Sequence, residues 1–593
     1  MKRDRADSRK LSRRDFVKGT AVGVGSAALT GLAANGALAQ GGKWDKEADV
    51  VVVGSGATGL PAAIEAHEHG ASVVVVEVNF DVGGHAIVSG GNIALGGGNS
   101  RQKKWGIDDS ADLVFADLTD WSVIEPNGFP DYRYNDKEVI RAFADNCGPT
   151  VEWLMAHGVV FVDKIPDIAG ANATGNSAPR ENHAAAMAWP QMQTGVPVDP
   201  AQGPTTSSGI GFIRPIEASA RKLGIEILLE HRMTSLVREK ASSGRVLGIE
   251  AVAQGRTLRL RARKGVILAT GGHSGNVNFR RIFDPRLTEE YDGVAGEPYS
   301  FQDASGEIAA MAVGASLWGA YNQVGEFGQI VTKPGKIGCQ YGYVNLTWQP
   351  GSEVFKRARA TGLQVKDYQD LILVNQAGLR FYDETKGPYT SNKYGDVKPY
   401  AHASYLNAAH QKFDPSNYIN AALAGTGEAR NGGGPIWAIF DDDAPKREGW
   451  TVAPPYVDTA AGYFFSGNTV AELAANIVNK HQRKPVPAET LQSTIAKYNS
   501  YVDSGTDPDF GKPSPKYKIQ TPPFYAAWAT PVIHDSRAGL RINAKGQVID
   551  LSGNLIPGLY CGGETAGGFS MHGLGRCIVQ GRIAGRNAAA ETT

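Results

Sequence analysis

Asp49-Val50-Val51-Val52-Val53-Gly54-Ser55-Gly56-Ala57-Thr58-Gly59, running on through Leu60 and Ile64 to Gly70 and then to Val73-Val74-Val75-Val76-Glu77, decides the fold. An apolar run closed by glycine reads as a fully buried strand. Helical spacing with small alanines follows, and a second valine run completes a βαβ unit. The glycines occupy the strand-to-helix turn. Gly54 permits the tight turn, Gly56 with Ala57 and Thr58 lets the backbone approach a pyrophosphate at the helix N-terminus, and Gly59 lets helix and strand pack closely. Glu77 ends the second strand, where a carboxylate accepts hydrogen bonds from an adenosine ribose. The rival reading, a tight turn in some other fold, supplies neither the second strand nor the terminal acid in register. The unit is therefore expected to hold a dinucleotide.

Near the other end, Gly558-Leu559-Tyr560-Cys561-Gly562-Gly563-Glu564 follows a strand-like stretch and precedes a glycine-rich bend and an apolar helix over 577–590. It resembles the return segment of two-dinucleotide-fold flavoproteins, whose last helix points its N-terminus at the isoalloxazine ring. The resemblance implies FAD rather than NAD, because the positive helix end stabilises charge on the reduced ring, which nicotinamide does not require. It places Gly563, Glu564, Arg576, Cys577 and Ile578 at the cofactor, with Arg576 on flavin or phosphate rather than on substrate.

The chain of 593 residues has room for two or three domains, and its 60 basic and 60 acidic side chains give no electrostatic reason to bind nucleic acid or an anionic membrane. Cys147, Cys339, Cys561 and Cys577 form no CxxC, CxxCH or zinc-ligand spacing, so neither a metal site nor a built-in haem is expected. Ser12-Arg13-Arg14-Asp15-Phe16, an uncharged Gly/Ala-rich run and Ala37-Leu38-Ala39 resemble a twin-arginine export signal over 1–39. The run is too poor in leucine for a spanning helix. The expectation is a periplasmic protein without a stable membrane anchor, exported folded and starting near Gln40.

Gly83-Gly84-His85, then Ser89-Gly90-Gly91-Asn92, resemble the glycine-dense loop of the fumarate reductase and succinate dehydrogenase flavoprotein superfamily. The spacing is most similar to that of the 3-ketosteroid dehydrogenase branch. Gly265 to Ala269-Thr270-Gly271-Gly272, a helix opening at Gln302-Asp303 and running to Leu317, and Leu373 to Glu384 resemble further pieces in the same order. The resemblance implies an α/β, Rossmann-like, discontinuous FAD-binding domain over 46–320 and 526–593, with an inserted α+β cap over 321–525. It also implies cofactor contacts from the loop and from Ala269, Thr270 and Gly271. His85 corresponds to a covalent attachment neighbourhood in membrane-bound relatives, but soluble relatives carry Ser or Asn there, and non-covalent FAD is expected. Residues 137–157 read as an amphipathic helix, and 166–211, rich in Pro, Gly, Asn and Ser, as a long loop covering the active site.

Flavin N5 exchanges hydride with carbon, so hydrogen removal or addition across a C–C bond next to a carbonyl further needs a proton carrier and donors for the enolate-like oxygen. The resemblance offers His534 for substrate binding, His572 with the amide of Gly575 to polarise a carbonyl, and Tyr389 for proton transfer. Against each stands a structural role: a backbone-satisfied histidine, flavin packing and a core aromatic. Pro388 and Tyr389 replace the proton-delivering arginine of the fumarate enzymes, and Asp367 stands where their relay arginine falls. Arg357, Arg359, Lys366 and Arg380 remain as possible carboxylate ligands, whereas Tyr341, Tyr343, Trp348 and Trp437 offer an apolar pocket. The expected activity is desaturation or ene-reduction of a bulky, cyclic ketone or enone, with an external cytochrome or quinone pool exchanging electrons. The alternative is a reductase of fumarate or another unsaturated carboxylate fed by a cytochrome.

Overall fold

The computed structural model describes residues 42–119, 136–167, 178–193, 208–283, 287–291, 297–319, 329–343, 346–385, 434–569 and 573–592, with the backbone alone at 37–38, 329–332 and 534–535. β1 (Lys46–Val53), α1 (Gly59–Glu68) and β2 (Val73–Val76) form the βαβ unit, and β1 and β2 are parallel with Val50 beside Val73. Strand side chains alternate between faces. Val50, Val52, Val73 and Val75 enter one apolar core, and Val51, Val53, Val74 and Val76 enter another on the opposite face. A parallel sheet covered on both sides requires such unbroken apolar runs.

α2 (Gly84–Ile87) and β3 (Asn92–Ala94) carry the glycine-dense loop, and α3 (Lys137–Ala156) is the expected amphipathic helix. β4 (Glu181–His183) pairs antiparallel with β3, and α4 (Ile210–Lys222) follows. This corrects the reading of 166–211 as one long loop: backbone pairing with β3, a long-range contact, makes a strand of a segment whose composition favours turns. Residues 168–177 and 194–207 lie outside the described ones. β5 (Glu226–Leu228) joins the sheet beside β2, and β6 (Arg232–Lys240), β7 (Ser243–Ala253) and β8 (Arg256–Leu268) run antiparallel until β8 lies parallel to β1. α5 (Ser305–Ala312) stops short of the expected Leu317. Gly314 leaves helical space at φ +99°, and Leu317–Trp318 pairs with Gly539–Leu540 instead.

β9 (Ile372–Val374), β10 (Trp437–Phe440), β11 (Phe464–Gly467) and β12 (Phe524–Trp528) make a separate antiparallel sheet ordered β9-β10-β12-β11. α6 (Ala488–Ser504) buries Leu491, Ile495 and Tyr498 in the core shared with one face of that sheet. β13 (Val532–Ser536), β14 (Gln547–Ile549) and β15 (Leu555–Cys561) return to the first unit, where β15 lies parallel to β8. The closing helix α7 (Leu574–Ala590) begins before Cys577, the start expected from sequence.

The large sheet has nine strands, among them a two-residue strand at Ala37–Leu38 beside β6. Its parallel members β15, β8, β1 and β2 all end on one edge. That edge receives Gly562, Ala269, Gly54 and Glu77, the carboxyl-end crevice at which open α/β sheets bind ligands. Among the described residues no helix is long and apolar enough to cross a membrane.

Candidate active site

The cleft at this edge is lined by Gly54 to Thr58, Glu77, Asn79, Gly84, His85, Ser89, Gly90 and Asn92 from the first third of the chain. Ala269 to Gly271, Glu564, Gly573, Leu574 and Cys577 complete it from the rest. Gly54 takes φ +101°, and a methyl there would lie 2.2 Å from the Ala269 carbonyl oxygen, so the ends of β1 and β8 touch. A methyl on Gly59 would lie 1.9 Å from the Gly54 oxygen, whereas one on Gly56 meets nothing nearer than 3.5 Å. Space at Gly56 is therefore reserved for something other than protein. No side chain caps α1, and the positive end of its dipole faces the cleft at Gly56 to Thr58.

Glu77 accepts from Ser55 N at 2.8 Å, Ser55 Oγ at 2.6 Å and Asn79 N at 2.9 Å. Burial raises its pKa and these donors oppose the rise. Both oxygens are thereby aimed, Oε2 by the two Ser55 donors and Oε1 by the Asn79 amide. Glu564 joins three remote segments: it meets His85 Nδ1 at 3.4 Å and accepts from Gln302 Nε2 at 2.9 Å and Ser536 N at 3.4 Å. Burial acts to raise its pKa, but His85, Gln302 and the Ser536 amide outweigh it and hold the carboxyl at about 2. A buried carboxylate beside His85 at the cleft wall fixes the ring of that histidine.

Several expected cofactor residues support the cleft from behind. Gly83, at φ +113°, packs on Ile87 and Ile213, and Gly91 packs on Ser208. Gly563 brings the second glycine segment against Thr58, where a methyl would lie 2.1 Å from Oγ1. Ile578 is fully buried, and Arg576, also buried, donates through Nη2 to the Ala566 carbonyl. Gly575 sits in the first turn of α7, packed on the Ala94 carbonyl. Thr270 and Thr565 hydroxyls lie 3.4 Å apart, and Thr565 donates to the Gly271 carbonyl.

His534 lies on β13, with its backbone alone described; Tyr389 and His572 lie outside the described residues. Sequence reasoning missed Asn79, His231, Arg232, Met233, Tyr299 and Phe301 as cleft residues. Only Gln302-Asp303, noted as a helix start, gave a signal of that region. Of the aromatics expected in a pocket, Tyr343 lines the cleft and Trp348 is buried against Trp189 behind it. Trp437 is a correction. It belongs to the core around β10 and α6, packed on Trp528 and Phe465, because its place on a central strand buries it there.

Several known proteins are similar to the chain. The acrylate reductase flavoprotein subunit of Shewanella woodyi is 27% identical over 97% of this chain and 98% of its own. Vinyl phenol reductase of Lactiplantibacillus plantarum is 27% identical over 92% of this chain and 97% of its own. The structure of 3-ketosteroid Δ1-dehydrogenase from Sterolibacterium denitrificans shares the fold with a TM-score of 0.59 at 21% identity, covering 92% of this chain and all of that one. The protein is an FAD-dependent oxidoreductase of carbon–carbon bonds. The model of the FAD binding domain family matches residues 49–577, a span that runs from the glycine cradle at the ends of the parallel strands to the start of the last helix, and the chain belongs to that family.

Proposed function

We propose that the enzyme reduces the C=C bond of an uncharged, conjugated carbonyl compound, a bulky or cyclic enone. The observation that carries this reading is the charge of the cleft. Arg232 is the one arginine lining it among the described residues, and Asp303 holds it at 2.6 Å. The four cations that the sequence offers for a carboxylate are committed elsewhere. Arg380 pairs with Glu384 and Asp507 at 2.8 and 2.9 Å, and Arg359 with Asp458 at 3.2 Å. Lys366 donates to the Glu448 carbonyl and Arg357 to that of Pro298. A carboxylate substrate is best held by a free, bidentate guanidinium. The names of the relatives span an acid and a phenol, so membership alone leaves the charge of the substrate open. Both are reductases by name, which supports the reductive direction.

FAD, when bound, supplies the hydride. Its fit rests on the space left at Gly56, the uncapped start of α1 and the aimed oxygens of Glu77. In this reading Tyr389 delivers the proton, His534 binds substrate, and His572 with the Gly575 amide polarises the carbonyl. The Gly575 N–H belongs to a first helical turn, where no intrahelical acceptor claims it. The segment 321–525 serves as the cap over an FAD-binding part built from 46–320 and 526–593. The twin-arginine signal exports the folded holoenzyme to the periplasm, where a cytochrome or the quinone pool supplies electrons. Purified enzyme given reduced viologen and a panel of unsaturated compounds is expected to yield saturated products from neutral enones. Saturated acids from acrylate or fumarate alone would replace this reading with the carboxylate one. Tyr389→Phe is expected to lower turnover at least about tenfold while leaving FAD bound.

A further inference from the structure

One end of the cleft carries a charged side chain that the proposed chemistry does not use. Arg232 opens β6 and lines the cleft beside Glu77. β5 lies parallel to β2 with Leu228 beside Val76, and Glu77 N donates to the Leu228 carbonyl at 2.9 Å. His231 N returns a hydrogen bond to the Glu77 carbonyl at 2.8 Å. Arg232, the next residue, therefore stands one strand beyond that carboxylate.

This position decides which part of a dinucleotide the side chain meets. Pyrophosphate belongs at the start of α1, over the end of β1, and ribose at Glu77, over the end of β2. One further step in the same direction, from β1 through β2, reaches β5 and the start of β6, the side left for the base. The segment that carries Tyr299 to Asp303 is tied to the same end, because Asn79 Nδ2 donates to the Tyr299 carbonyl at 2.8 Å.

The guanidinium is arranged as a flat platform rather than as an anion clamp. Asp303 Oδ2 accepts from Nη1 at 2.6 Å, which offsets the charge and fixes one edge of the plane, and Asp303 Oδ1 is itself held by Ser305 N at 3.1 Å. Cζ lies 5.4 Å from the centre of the Phe301 ring, and Phe301 also lines the cleft. The Arg357 guanidinium, 5.2 Å from the same ring, keeps Phe301 in place. The Arg232 side chain is still 43% exposed. A guanidinium held by one edge beside an aromatic ring has a face left for another flat π-system. An arginine meant for pyrophosphate would instead keep its fork free of carboxylate and lie by Gly56 to Thr58.

We propose that Arg232 is the platform on which the adenine ring of FAD rests, with Asp303 and Phe301 as positioning residues that hold its plane. Arg232 thereby selects FAD over FMN, which lacks the adenosine, and gives an adenine nucleotide alone a seat in the cleft. The proposal rests on FAD occupying the cleft and is independent of which substrate is reduced.

Titration calorimetry of the full chain freed of FAD, with FAD, ADP and FMN as ligands, tests this. Arg232→Ala is expected to weaken FAD and ADP alike by about tenfold, the worth of a partly desolvated guanidinium–ring contact, and to lower the preference for FAD over FMN by the same factor. Arg232→Lys keeps the charge without the plane, so it should restore neither affinity. Phe301→Leu leaves the charge untouched and should weaken FAD and ADP in equal proportion. An unchanged FAD affinity in Arg232→Ala, a loss shared equally by FMN, or full recovery in Arg232→Lys overturns the proposal while leaving FAD binding intact. A wild-type chain that binds neither FAD nor ADP removes the cofactor reading itself, and this proposal with it. Should Arg232→Ala fail to fold, Arg232→Lys and Phe301→Leu decide.

Discussion

Gly56 and Gly59 belong to one turn, and the structure gives them different work. A methyl at Gly59 collides with the Gly54 carbonyl at 1.9 Å, so Gly59→Ala strains the join of β1 and α1. It is expected to cost about 1–3 kcal/mol of stability, read from denaturant unfolding of the apoprotein. A methyl at Gly56 has 3.5 Å of clearance from protein and intrudes only into the open cleft. Gly56→Ala is expected to unfold at the wild-type denaturant concentration yet bind FAD at least about tenfold more weakly, the weakening read from an FAD titration. These two residues were legible in sequence because a tight turn is set by its own neighbours. Glu564 was legible as a residue of the cleft, but not as the acceptor that ties His85, Gln302 and Ser536 together. Its partners are hundreds of positions away and no local pattern encodes them.

The glycines of the last helix show the same logic one level up. A methyl on Gly581 would lie 2.2 Å from the Thr58 carbonyl oxygen, and one on Gly585 would lie 2.3 Å from that of Ala62. Both pairs are four residues apart, so one small-residue stripe of α7 lies directly on one stripe of α1. This contact brings the start of the last helix to the cleft. Gly581→Ala and Gly585→Ala are each expected to cost about 1–3 kcal/mol in denaturant unfolding, and the double variant to lose FAD as well. The strands of the first unit were readable from their valine runs, since both faces are buried. β4 was not, because its pairing with β3 crosses a stretch of sequence rich in turn formers. The end of α5 was missed for a related reason: Ala315 to Trp318 prefer partners supplied by β14 and its approach to a helical continuation.

At the scale of the whole molecule, buried charge ties together the segments around the second sheet. Glu384 is fully buried between Arg380 and Lys512. Burial would raise its pKa, but Lys512 and Arg380 lower it from 4.5 to about 2. A depressed carboxyl stabilises the fold above its unfolded value and loses that contribution as pH falls through the folded value. Stability is therefore expected to decline between about pH 4.5 and 2, with Glu384→Gln flattening that decline. Near neutral pH the same change is expected to cost about 3–5 kcal/mol, because it leaves buried cations unmatched; urea unfolding across pH checks both. In the sequence Arg380, with Arg357, Arg359 and Lys366, looked available to a carboxylate substrate, since pairing such as that between Arg380 and Asp507 depends on tertiary structure. Their commitment is what turns the account toward an uncharged acceptor. Rapid mixing of anaerobically reduced holoenzyme with equal concentrations of a neutral cyclic enone or of acrylate tests that claim most directly, through the return of oxidised flavin absorbance. The account predicts reoxidation by the enone roughly tenfold or more faster. Rapid reoxidation by acrylate, with the reduced flavin unchanged by neutral enones, would contradict it.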